Sequence, residues 1–313
     1  MRATLAALLL MTLTLSGCIN TGDSDSEFSV DEAEKPGWQI GDWWLYTFET
    51  SQFGEDTARL VVTDIREDEG LYMLGISSER EAQRHAVINH NPFLGRVTID
   101  ELSVYENGDP QAVFNFPWDE GDTWSFTLLG EYWSAKTSGS YNGMPVVTAT
   151  SGNGHSLEYR FDGSHGFLDM FEWKNQDDEL QFRMTLTNYG KDYSGEVWFI
   201  RATDLKDRLF EGPIDGEASD TFTDSGHPSG VDFDYYVAYI DASLPQGGSG
   251  TLTVRDHTGS SILTRTYTAG QESQELVTLP SRSDEYTLEV TLTGGQSTLH
   301  FMIAGGIENY WQL

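Results

Sequence analysis

Nine tryptophans, seven histidines and fifty carboxylates are the residues of this 313-residue chain with which chemistry could be done. The tryptophans carry a pattern. WQIGDWW at 38–44 and WDEGDTW at 118–124 share the frame Trp-x-x-Gly-Asp-x-Trp: Trp38, Gly41, Asp42 and Trp44, then Trp118, Gly121, Asp122 and Trp124. Indole rings offer a flat apolar face and one N–H donor, which suits stacking on an acyl chain, a glycan or a peptide. Gly-Asp is also a turn pair, because glycine takes positive φ freely and aspartate bonds its own backbone. After each pair the aromatics alternate, Trp44-Tyr46-Phe48 and Trp124-Phe126-Leu128, and so share one face of a strand. That favours a turn delivering a large ring to the core, with roughly 2 kcal/mol or more gained by burial. The rings that leave this face are the ligand-binding candidates. Trp43 lies opposite Trp44, Tyr132 and Trp133 are adjacent, and Trp173 follows Phe171 near a turn.

The polar chemistry is less patterned. His85 and His90 lie five apart and would face opposite sides of a strand, while His155 and His165 flank LEYRF beside turn glycines. No His-x-His, HExxH or His–carboxylate spacing points to a metal, so no metal is expected. There is no Gly-x-Ser-x-Gly elbow and no phosphate or dinucleotide loop, so neither a catalytic residue nor a cofactor is expected. With fifty carboxylates, close pairs arise by chance, and a glycosidase pair cannot be picked out. Acidic turns such as DGEASD read as solvated surface before calcium loops.

The elements that must position these residues are strands. TARLVVTDI, GLYMLGISS, GRVTIDELSVY, TWSFTLL, ELQFRMTLTNY and EVWFIR alternate with period two. Asn-Gly at 107–108 and 142–143 marks hairpins. TDLKDRLF at 203–210 is the one stretch that could make two helical turns. The expected fold class is all-β: a long antiparallel meander of roughly ten or eleven strands, as a curved sheet, half-barrel or barrel, followed by a β-sandwich. The expected division is a signal and lipobox at 1–18, an acidic tether at 19–36, the meander at 37–205, a linker at 206–217 and the sandwich at 218–313. The tether, INTGDSDSEFSVDEAEKP, has too little apolar surface to offset its ordering entropy.

The first residues set the compartment. Arg2 precedes an apolar run from Ala3 to Leu15, which is too short to span a bilayer. It ends in Leu15-Ser16-Gly17-Cys18, which resembles the lipobox of prokaryotic lipoproteins. In that family the cysteine becomes the first mature residue and carries lipid. The resemblance implies an extracytoplasmic protein attached to the lipid bilayer through Cys18, the only cysteine in the chain. Trp38 to Tyr46, Pro117 to Trp124 and EYRFDGSHGFLDMFEW also resemble a set of prokaryotic secreted and lipid-anchored proteins. That likeness implies a meander similar to the half-barrels of periplasmic lipoprotein carriers. The last third, on its Gly-Ser-Gly turn into TLTVRDHTG and its EYTLEVTL strand, resembles jelly-roll or immunoglobulin-like accessory domains of secreted proteins.

The net charge of −32 repels nucleic acid and anionic headgroups. Only five of eighteen cationic residues are lysine, which fits a protein that lives in salt. The function these features suggest is a membrane-anchored, non-enzymatic binding or cell-surface interaction protein, its partner a surface protein, a glycan or an apolar ligand. The alternatives are a carrier that holds an apolar ligand in the curved sheet and, third, a secreted hydrolase of unrecognised type.

Overall fold

The computed structural model describes residues 35–313, apart from 52, 90, 225, 270–271 and 280–283. Cys18, the signal segment and residues 19–34 of the expected tether lie outside the described residues. The all-β expectation holds: among the described residues, twenty strands fall into a 16-stranded and a 4-stranded sheet, with one short helix and a π-helical turn between the third and fourth strands.

The two tryptophan frames start strands in the same way. In the first, Gln39 to Asp42 form a tight turn: Asp42 N–H donates to the Gln39 carbonyl, and the Asp42 carboxylate accepts the Gln39 N–H at 2.9 Å. Gly41, at φ +88°, takes the position that favours glycine. Gly41 N–H then donates to the Val62 carbonyl, and Val62 N–H donates back to Asp42. The second frame repeats each bond, with Asp119 in place of Gln39 and Thr137 in place of Val62, and Gly121 is again at φ +88°. Each Gly-Asp pair therefore clips its turn onto a neighbouring strand before its own strand begins.

These strands are β1 (Trp43–Thr50), clipped to β2 (Gly54–Arg66), and β7 (Thr123–Leu128), clipped to β8 (Glu131–Tyr141). Trp44, Tyr46 and Phe48 all turn into the core, as the alternation requires. The two Asn-Gly hairpins form as expected. Asn107-Gly108 joins β5 (Val104–Glu106) to β6 (Asp109–Gln111), and Asn142-Gly143 joins β8 to β9 (Met144–Ser151), all four residues at positive φ.

The strand order places β3 (Leu71–Ile76) beside β2, and β12 (Leu180–Gly190) beside β1. From β12 the sheet runs through β11 (Phe167–Lys174) and β10 (Ser156–Asp162) to β9, β8 and β7. In the other direction β3 pairs with β4 (Gly95–Thr98), which leads to β5 and β6. The curl brings β6 back towards β7 without a ladder between them. Side chains bridge the gap instead: Gln111 Oε1 accepts the Thr127 N–H, Glu106 Oε1 accepts the Gly130 N–H, and Trp124 Nε1 donates to the Val113 carbonyl. The sheet curls almost into a ring and stays open.

At β3 the sheet forks. Residues Leu71–Leu74 pair with β4, while Ile76 pairs with Trp198 of β13 (Glu196–Glu211). β13 pairs along its length with β20 (Thr298–Gln312), which continues to β15 (Tyr235–Ser243) and β18 (Glu272–Leu279). This arm packs against the second sheet: β14 (Ala218–Thr223), β19 (Glu285–Thr293), β16 (Ser249–Asp256) and β17 (Ser261–Thr268). Their shared core holds Phe210, Tyr236, Ile240 and Phe301 against Leu252, Tyr286, Leu288 and Leu292.

Three expectations are corrected here. Residues 203–210 form strand rather than helix, because Leu205 and Phe210 pack into the sandwich core. The expected linker begins late for the same reason: 206–211 belong to β13, so one strand serves both halves. GRVTIDELSVY divides into β4 and β5, since Leu102 N–H returns to the Thr98 carbonyl and closes a turn.

The inner face of the curled sheet is filled by the chain itself. Phe93, Phe114, Phe116 and Trp118, from the connections around β4 to β6, pack on Tyr159, Phe161, Phe167 and Phe171. The two clips give a direct test by urea unfolding. Gly121→Ala forces an L-residue into positive φ in open space and is expected to cost roughly 1–2 kcal/mol. Gly41→Ala is expected to cost more, because its Cβ would also stand 3.2 Å from the backbone nitrogen of Tyr193.

Candidate functional site

The four candidate rings do not come together. Trp133 is fully buried in the core, its Nε1 donating to the Leu128 carbonyl at 2.8 Å. Tyr132 points the other way and is 62% exposed. Trp43 lies over Gly190, the residue it faces across the β1–β12 ladder, and Arg59 stacks on it at 4.6 Å. These three are a core plug, an exposed ring and a cover over a strand glycine. Trp173 alone lines a large cleft.

The motif tryptophans serve the core, as their turn reading anticipates. Trp38 and Trp44 are both buried, with centroids 5.3 Å apart, and donate to the carbonyls of Gly166 and His165. They thereby fix the 162–166 turn. Trp118 stacks on Phe116 at 4.7 Å, and Trp124 is half-buried at the seam beside β6.

The cleft, of about 630 Å³, lies in the fork of the sheet. One wall is β13 from Trp198 to Ala202 with Asp204; another is Asn91, Pro92 and Leu94, just before β4. Tyr105, Glu106 and Asn107 from the β5–β6 turn, Leu129, and Trp173 complete that side. The remaining side comes from the helix α1 (Glu79–Arg84) and the π-helical turn after it (His85–Asn89), through Ala82, His85 and Ala86. Close approach of the walls depends on Gly95, whose Cβ would meet the Phe199 ring at 2.5 Å.

The cleft combines apolar walls with a comparable share of polar groups. His85 is buried edge-on to Phe48, with centroids 4.5 Å apart. Tyr105 is held under Arg96 at 4.0 Å. Arg201 is exposed at the β13 wall. After burial, its charge is the second cause that lowers the His227 imidazole below the ordinary histidine range. Two donors are left over. Asn91 is 7% exposed; its Oδ1 accepts the Phe93 N–H at 3.0 Å, and its Nδ2 has no partner among the described residues. Trp173 Nε1 is likewise buried without a partner.

Four of the remaining histidines pair with a nearby side chain. His165 meets Asp162 at 3.0 Å, His155 meets Glu131 at 3.2 Å, and His300 meets Asp207 at 2.5 Å. His227 bonds the Ser229 hydroxyl within one turn. Among the described residues, no three His, Cys, Asp or Glu side chains are placed to hold a metal ion.

Asn91, Trp198 and Arg201 are cleft residues that sequence reasoning missed. Their types are ordinary for their segments, and only the fork brings them together. The helix beside them did carry a signal: Ser78-Glu79-Arg80-Glu81 fits the Ser-x-x-Glu start pattern, and the Ser78 hydroxyl accepts the Glu81 N–H.

No protein-family model matches the chain, and no curated protein matches it in sequence. Among solved structures, the MucA/MucB complex of Pseudomonas aeruginosa is similar at 11% identity and TM-score 0.24, over 82% of this chain and 94% of that one. An exo-β-1,3-galactanase of Phanerochaete chrysosporium is similar at 10% identity and TM-score 0.22, over 83% of this chain and 68% of that one. At this level neither a partner nor a substrate passes from those proteins to this chain.

A second hollow, beside α1, gathers Glu79, Asp234 and Glu308 around Tyr235. Burial raises the Glu308 carboxyl, and repulsion from Glu79 and Asp234 adds to it, against the hydrogen bond donated by Tyr235. The folded chain therefore holds this proton more tightly than the unfolded chain does, so ionised Glu308 opposes folding. Glu308→Gln is expected to raise the unfolding midpoint at neutral pH. The gain should shrink as pH falls through the raised carboxyl range and vanish near pH ~4, the unfolded value. Unfolding midpoints measured across that range check it.

Proposed function

We propose that the chain is a lipid-anchored extracytoplasmic protein that binds a partner without chemical turnover, and that the fork cleft is its binding site. The observation that carries this reading is the cleft itself. It is large, lined by both apolar and polar side chains, and two residues of its wall, Asn91 and Trp173, carry buried donors, Nδ2 and Nε1, without a partner among the described residues. The filled inner face removes the room that a carrier of the half-barrel kind would need for an acyl chain.

The anchor is supported by the lipobox around Cys18 and by the acidic, apolar-poor stretch after it, which suits a tether between a membrane and a folded body. Two experiments test the proposal. Cys18→Ser is expected to shift the protein from the membrane fraction to the soluble one; an unchanged distribution would remove the anchor from the account. A photo-crosslinking amino acid at Tyr105, inside the cleft, is expected to give a discrete adduct in cells, whereas the same group at exposed Tyr132 should not. Equal labelling at both positions would argue against the cleft.

A further inference from the structure

The backbone of β13 says what class of ligand the cleft suits. Beyond Trp198, which pairs with Ile76, β13 has β20 along one side and, among the described residues, no strand along the other. Among the described residues, no backbone bond from a turn or loop reaches Phe199–Thr203. In an antiparallel ladder, alternate residues turn their N–H and C=O groups to the same side. This stretch therefore keeps donors and acceptors on its outer edge, and within it the Phe199 carbonyl also accepts a long bond from the Asn309 side chain at 3.5 Å. The lining agrees. Trp198, Phe199, Ile200, Arg201 and Ala202 all border the cleft. Neighbouring strand residues point to opposite faces, so a cleft touching five in a row runs along the edge rather than over a face. Free edges are usually blunted by lysine, proline or a bulge. Here the bulge comes only at Asp204/Lys206, past the cleft stretch.

Resting on the reading of the cleft as a binding site, we infer that its occupant is an extended peptide segment of a partner protein, added to β13 as a further strand. Main-chain bonds to the edge supply affinity in this mode, and alternate side chains supply selectivity. One side of the added strand would lay apolar residues against Trp173 and Leu94. The net charge of −32 selects for basic residues flanking the segment, since a field of that sign draws cations from a distance.

The test uses purified residues 19–313 and labelled decapeptides of the form Lys-Lys-X-Thr-X-Thr-X-Thr-Lys-Lys, with X as Val, Leu, Phe or Tyr. Binding is read by fluorescence anisotropy at physiological ionic strength. Two further series carry N-methyl groups, one on the X residues and one on the threonines. A strand pairs through one edge only, so one series is expected to lose affinity roughly tenfold or more while the other keeps it. Equal binding of both series, or no binding by any peptide, overturns the inference. Adducts at Tyr105 in cells, seen alongside either result, would leave the cleft as a site for another class of ligand. Loss of those adducts as well would remove the site itself.

Discussion

A strand edge can satisfy only one neighbour at any point along its length, and β3 divides its outer edge between two. Leu71–Leu74 bond to β4, and Ile76 bonds to Trp198 of β13. From that division the two arms must diverge, one curling over the aromatic core and the other running into the sandwich. The space between them is the cleft. The same division leaves β13 with one strand partner beyond Trp198. Cleft and free edge are thus two results of one geometric constraint. Gly95 lets the arms stay close at their root, where Phe199 fills the place of a side chain.

The clips made by the two tryptophan frames hold the first arm in shape. Each gives a turn three fixed points: a backbone bond across the turn, a carboxylate on the N–H before it, and a two-way bond to a neighbouring strand. The rings they deliver do different work in the two places. Trp38 and Trp44 reach across the inner face to the 162–166 turn, and Trp118 closes the stack over Phe116 and Phe161. With the inner face filled, binding is left to the fork.

Local structure was legible in the sequence, because it depends on residues a few positions apart. The period-two runs, the Asn-Gly hairpins and the Gly-Asp strand starts all appear where the pattern puts them. The opposition of Trp43 to Trp44 and of Tyr132 to Trp133 was equally plain, since alternation decides it. Which side faced a core was not, and so Trp133 stood among the ligand candidates although it is fully buried. The fork was invisible for a different reason. It joins Ile76 to Trp198, and no periodicity records a pairing between segments so far apart. Strand 203–210 was misread because its charged residues mask Leu205 and Phe210, whose burial needs a second sheet that comes later in the chain.

The central claim is that β13 keeps a free edge inside the fork, and amide hydrogen exchange on the ligand-free protein measures this residue by residue. Between Phe199 and Thr203, alternate amides should be protected by β20 and the intervening ones should exchange quickly. Slow exchange along the whole stretch would mean that the edge is already covered, and would contradict the account.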